Sequence, residues 1–182
     1  MPPKRQLIVL GILGIVLIAL GVVTYVVFRG QEQDAQDFTA VPVPVDYPAP
    51  VLSLTDLQGE AVELADYRGQ VILVNLWATW CPPCKAEMPV LVEYFQEYAD
   101  DGFVIVAIDD GEDPGTVQDY ADGHGLIFPI WLDPQYATEK AFRTINLPSS
   151  WVIDRSGRVR LAWVGAISRR SLDKYVTPLI RE

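Results

Sequence analysis

The 182-residue chain has only two cysteines and one histidine. Two cysteines cannot build the multi-bridge framework of a small secreted scaffold. Even with the histidine they fall short of the four ligands a structural zinc ion takes. Bases are scarce too, 14 Lys and Arg against 24 Asp and Glu. The shortage is uneven. Residues 1–30 carry Lys4, Arg5 and Arg29 and no acid, a charge of +3, which leaves −13 on the rest. So acidic a region repels polyanions, and nucleic acid is excluded as a partner. Charge is absent altogether from residues 7–28, LIVLGILGIVLIALGVVTYVVF. As a helix this run is about 33 Å long, enough to cross a hydrocarbon core of roughly 30 Å. No polar stripe interrupts it, which argues against a buried core helix. It is longer than a signal-peptide core, ends YVVFRG without a small-residue cleavage site, and has no cysteine nearby to take a lipid. It is expected to be an uncleaved, single-pass anchor in the cell membrane. Lys4 and Arg5 place residues 1–6 on the cytoplasmic side and the rest on the extracytoplasmic face. Arg29 dissents, but Glu32, Asp34 and Asp37 follow it.

Residues 29–46 read as a linker. GQEQDAQDFTA is polar and aperiodic, and VPVPVDYPAP brings Pro42, Pro44, Pro48 and Pro50, favouring extended polyproline II geometry. One globular domain is expected over 47–182. VLSLTDLQGEAVEL alternates apolar and polar around Gln58-Gly59, as a hairpin does. VILVNLWA (71–78) and FVIVAID (103–109) are strands apolar on both faces. Between them Met88, Leu91, Val92 and Phe95 fall at helical spacing, with Pro89 inside the helix as a kink. Strand, helix, strand with short joints implies a parallel crossover. A helix ending at Gly123 or Gly125, a strand in FPIWLD and a helix over QYATEKAFRTI follow. SWVIDRSGRVRLAWVG makes a hairpin that turns at Gly157, and SRRSLDKYVTPLI an amphipathic helix. The fold class is α/β, a mixed central sheet between helix layers.

The chemistry lies in TWCPPCKAEMP, residues 79–89. Cys81 ends a buried strand and starts a helix, where free N–H groups and the positive end of the dipole favour a thiolate. The thiolate is the form that attacks disulfides. A step of three residues along the helix brings Cys84 to the same face, close enough to bond. Cys81 is therefore the attacking sulfur and Cys84, one turn deeper, the resolving one. Pro82 and Pro83 stiffen the loop. Trp80 adjoins Cys81 and is expected on the surface beside the substrate, whereas Trp77 belongs to the core. The side chain of Asn75, on the buried strand, has no evident role.

The run VILVNLWATWCPPCKAEMP resembles the active-site segment of thioredoxin-like proteins of the TlpA/ResA/CcmG kind, membrane-tethered thiol–disulfide oxidoreductases of the bacterial envelope. The likeness covers about residues 47–180, including the opening hairpin, the kink proline five residues past Cys84, and NLPSSWVID. It implies a thioredoxin fold with an N-terminal β-hairpin extension and a redox-active Cys81–Cys84 disulfide in place of a cofactor. It further implies a cis Leu147–Pro148 bond facing the CPPC loop, with the Leu147 backbone pairing an extended substrate. Glu87 would modulate cysteine protonation, shuttling a proton to or from Cys84. The resemblance makes protein disulfides or dithiols the partners, apocytochrome c the expected client in cytochrome c maturation, and a membrane electron donor the source of reducing power. PSSWVID departs mildly from the family's P-T-x-F pattern, and DDGEDPGT (109–116) is unusually acidic.

Blander readings exist. A CxxC bridge can be structural, but it closes too short a loop to constrain the unfolded chain much. The same sulfurs could serve a copper chaperone or redox sensor, with His124 as a third ligand, although His124 in DGHG reads as an exposed loop residue and no metal site is expected. Neither cysteine follows the proline–threonine pattern of a peroxiredoxin. The acidic run 109–113 reads as a solvated loop.

Overall fold

The computed structural model describes Gly14, residues 17–25 and residues 40–182. Residues 17–25 are helical. The segment 1–6 expected in the cytoplasm, most of the expected anchor 7–28 and most of the expected linker 29–46 lie outside the described residues. Among the described residues no helix is long and apolar enough to cross a membrane. The chain divides into Met1–Phe38 and Thr39–Glu182.

Among the described residues, eight strands form one mixed sheet in the order β1 (Val43–Pro48), β8 (Arg158–Val164), β7 (Ser149–Ile153), β4 (Val71–Trp77), β5 (Phe103–Asp109), β6 (Ile130–Leu132), β2 (Ser53–Asp56), β3 (Ala61–Glu63). Its centre is β4 (Val71–Trp77), buried at every position. β4 runs parallel to β5 (Phe103–Asp109), from Val71 opposite Phe103 to Trp77 opposite Asp109. On its other side it runs antiparallel to β7 (Ser149–Ile153). Such a strand must be apolar on both faces, and alternate residues divide between two cores. Leu73, Trp77 and Ile105 pack with Cys84, Met88, Leu91 and Tyr94 of helix α1 (Pro82–Tyr98). Ile72, Val74, Leu76 and Val106 face the opposite side with Trp131, Phe142 and Trp151.

α1 joins β4 to β5 and continues through Pro89. α2 (Pro114–His124) starts on an Asp113 cap and ends at Gly125, whose φ of 63° is open to glycine. β6 (Ile130–Leu132) pairs with β5 and with β2 (Ser53–Asp56), and β2 pairs antiparallel with β3 (Ala61–Glu63). β7 turns into β8 (Arg158–Val164) through Gly157.

Three elements differ from the sequence reading. The linker was expected to reach residue 46, but β1 (Val43–Pro48) is a strand paired antiparallel with β8. Its register shifts between Pro44 and Tyr47. Prolines that suggest polyproline II are equally at home on an edge strand, where a missing N–H costs no ladder bond. Helix α3 stops at Ala137–Phe142 instead of reaching Ile145, because Arg143 takes a left-handed φ of 56°. The C-terminal helix is two pieces, α4 (Arg169–Tyr175) and α5 (Thr177–Ile180), with Pro178 in the first turn of the second.

Candidate active site

The end of β4 delivers the chain to the start of α1 at the C-terminal edge of the parallel strands, where α/β sheets commonly place ligands. Cys81 is the N-cap of α1, in extended conformation. It is bonded to Cys84 with an S–S distance of 2.11 Å. The Cys84 N–H donates to Cys81 Sγ at 3.3 Å, the capping contact the position predicts. Cys84 is fully buried and Cys81 is only 3% exposed, so in this oxidised state both sulfurs lie below the surface. Trp80 stands out beside them at 63% exposure, while Trp77 is buried. The Leu147–Pro148 bond is cis, as the resemblance implies. Leu147 packs against the same core cluster that holds the two cysteines.

Glu87 lies three residues past Cys84 on the inner face of α1, 1% exposed. Its Oε1 accepts from Asn75 Nδ2 at 2.8 Å and its Oε2 from the Ile167 N–H at 3.0 Å. Burial pushes its pKa up to about 7, while the two donors pull the other way. Among the described residues no cation offsets the burial, so the group can change protonation near neutrality. Asn75 also donates to Ser150 Oγ at 3.0 Å, across the β4–β7 pairing. The one signal for Asn75 in the sequence is a lone amide in an otherwise apolar strand. Nothing there singles out Ser150, which the register brings opposite.

The acidic run is not a solvated loop. Asp109 is fully buried and Glu112 partly so. Glu112 accepts from the Thr79 N–H at 2.5 Å and from the Thr79 hydroxyl at 2.6 Å. Its own N–H donates to Asp109 Oδ1 at 2.8 Å, and the Asp110 N–H donates to the Trp77 carbonyl at 2.9 Å. The loops after β4 and β5 are thereby tied together two residues before Cys81. Burial and then the neighbouring Glu112 raise the pKa of Asp109. Burial and surrounding acids, Glu139 first, raise Asp110 to about 6. A charge run read along the chain cannot reveal that one of its members grips a distant main-chain N–H.

His124 is exposed at the end of α2 and stacks on Tyr120. Among the described residues no group of three or more His, Cys, Asp or Glu could hold a metal ion. The arrangement is suited to thiol–disulfide exchange: a sulfur capped by a helix N–H, a second sulfur within bonding distance, and a carboxyl group able to take or give a proton.

Residues 45–162 match the AhpC/TSA family. The thiol–disulfide oxidoreductase ResA of Geobacillus kaustophilus is 34% identical over 175 residues, covering 95% of this chain and 96% of the relative. ResA of Bacillus subtilis is 30% identical over 178 residues, 97% and 94% of the two chains. Among solved structures, a thioredoxin-family thiol:disulfide interchange protein from Chlorobium tepidum superposes with a TM-score of 0.68 at 31% identity, over 76% of this chain and 99% of that one. A second Chlorobium tepidum structure, assigned to the interchange protein DsbE, gives 0.69 at 28% identity over 74% and 96%. With a thioredoxin-like sheet, a CxxC disulfide at the head of α1 and relatives of near-equal length, the chain belongs to the AhpC/TSA family and is a thiol–disulfide oxidoreductase of the ResA/DsbE type.

Proposed function

We propose that the protein is an extracytoplasmic, membrane-anchored reductant of protein disulfides. The observation that carries the chemistry is Cys81 as the N-cap of α1, bonded to Cys84, with the buried Glu87 three residues further along the same helix. The reduced protein starts the cycle. The Cys81 thiolate attacks a client disulfide; the client S–S bond breaks, a mixed disulfide forms, and one client sulfur leaves as a thiolate. Cys84 then passes its proton to the Glu87 carboxylate and attacks Cys81. The Cys81–Cys84 bond forms, the second client thiolate leaves, and two electrons have passed to the client. Trp80, Pro82, Pro83, Leu147 and Pro148 form the substrate surface, with the Leu147 backbone alongside an extended client chain. The redox group is the cysteine pair itself, with no further cofactor.

The uncharged run 7–28 and the bases before it support anchoring with the domain outside the cytoplasm. The resemblance to envelope oxidoreductases supports reduction as the direction and apocytochrome c as the client. A reductant in an oxidising compartment needs recharging, which implies a membrane electron donor.

Insulin reduction tests the chemistry: Cys81→Ser abolishes turnover, and Cys84→Ser stops it at a mixed disulfide whose trapped partner identifies the client. The potential of the Cys81/Cys84 couple against glutathione tests the direction. A value well below that of glutathione supports a reductant, and one near about −120 mV, that of a strong oxidant, overturns it.

A further inference from the structure

On the face of β4 that packs beneath α1, the side chains run Leu73, Asn75, Trp77. An apolar residue at 75 would complete that row. The amide there is fully buried and incompletely satisfied: Nδ2 makes two hydrogen bonds, but Oδ1 has no partner. A buried carbonyl oxygen without a donor is costly. Neither packing nor its own satisfaction accounts for the residue. What it provides goes to Glu87. One Nδ2 hydrogen reaches Glu87 Oε1 and the other Ser150 Oγ, so both acceptors lie on the same side of the amide. Reversing the amide would set Oδ1 against a carboxylate oxygen. The Glu87 oxygen thus fixes the donor orientation, and Ser150 Oγ takes the second hydrogen. The second Glu87 oxygen is held by the main-chain N–H of Ile167. Both donors are neutral. They aim the carboxyl group without the countercharge that would keep it permanently ionised.

We propose that Asn75 is a positioning residue of the exchange reaction, holding Glu87 in place and its proton exchangeable, with Ser150 taking the second amide hydrogen. The inference rests on the reading of Glu87 as the proton carrier for Cys84. The titratable groups in the core cluster on this face are Cys81, Cys84, Tyr94 and Tyr98 of α1, with Tyr120 and Tyr175 at its margin. β4, β7 and the segment leading into α4 contribute none, and α4 itself brings Arg169, which lies over the Tyr94 ring and pairs with Glu97 and Asp173. Asn75 is therefore the side chain that tunes Glu87, and removing its donor weakens the ionised form more than the protonated one.

The test uses the reduced full-length protein, with two readouts. One is the titration of the 13C-labelled Glu87 carboxyl group. The other is the pH profile of client release from the mixed disulfide, in wild type, Asn75→Leu, Ser150→Ala, Glu87→Gln and the Asn75→Leu/Glu87→Gln double variant. Leu preserves the bulk of the side chain and removes the unpartnered oxygen. We expect Asn75→Leu to raise the Glu87 midpoint by about one pH unit and to move the release profile with it. Ser150→Ala moves both the same way by less, and the double variant matches Glu87→Gln. If Glu87→Gln changes the profile but Asn75→Leu moves neither readout, the role of Asn75 is refuted and that of Glu87 stands. If Glu87→Gln leaves the profile intact, the proton-carrier reading falls and the inference with it. Should Asn75→Leu not fold, Ser150→Ala decides: an upward midpoint upholds the inference and an unmoved one overturns it.

Discussion

Two buried carboxylate sites flank the cysteines, and they are wired differently. Beneath α1, Glu87 stands alone among neutral donors, Asn75 on one oxygen and the Ile167 N–H on the other. Beyond the end of β5, Glu112 and Asp109 are neighbours in one cluster, and both Glu112 oxygens are committed to Thr79. The first arrangement leaves a proton free to come and go near pH 7. The second ties one loop to another. Nearness to a redox pair therefore does not make an acid part of the chemistry; what its oxygens are bonded to decides.

Removing the Glu112 carboxylate should break the tie most severely. Glu112→Ala strands two donors of Thr79 and should cost about 3 kcal/mol in urea denaturation. An unchanged midpoint would mean the loops hold without it. Glu87 comes next, through pH. Its folded pKa of about 7 lies above its ordinary 4.5. The folded state keeps a proton that the unfolded chain gives up, so stability falls as pH rises from about 4.5 to 7. Glu87→Gln removes that slope, and its stability relative to wild type should rise by about 2 kcal/mol between pH 5 and pH 8. A parallel pair of stability curves would contradict the buried setting of Glu87. Thr79→Val keeps the main-chain N–H and deletes the hydroxyl, so a loss of about 1 kcal/mol is expected, and little further loss once Glu112 is already Ala. Asp109→Asn is the last substitution. The raised Asp109 pKa makes the wild type lose stability with rising pH. Asn keeps an acceptor for the Glu112 N–H and should flatten that alkaline decline, which thermal melts at pH 6 and pH 9 can resolve.

The parts of the molecule built on apolar pattern were legible from the residues. β4 and β5 announce themselves as uninterrupted apolar runs, and α1 by its spacing of Met88, Leu91 and Phe95. The cysteines were placed by the junction of strand and helix, and Glu87 by resemblance. What escaped depends on three-dimensional partners. Pro44 and Pro48 argue for an open tether until β8 is available to pair with them. Asn75 has no meaning along the strand; it acquires one only when α1 folds over it. Glu112 looks like one more solvated charge until β5 sets its loop beside Thr79.

The two prolines that open α1 have a consequence for what can dock there. A helix start normally offers several unbonded N–H groups, a ready cradle for phosphate or sulfate. Pro82 and Pro83 delete two of them. Of the others nearby, the Cys81 N–H goes to the Ala78 carbonyl and the Lys85 N–H to the Cys81 carbonyl. One donor remains, that of Cys84, and it is already trained on sulfur. The socket has a single contact and it is keyed, so small inorganic anions find little to hold there and should compete poorly with a thiolate.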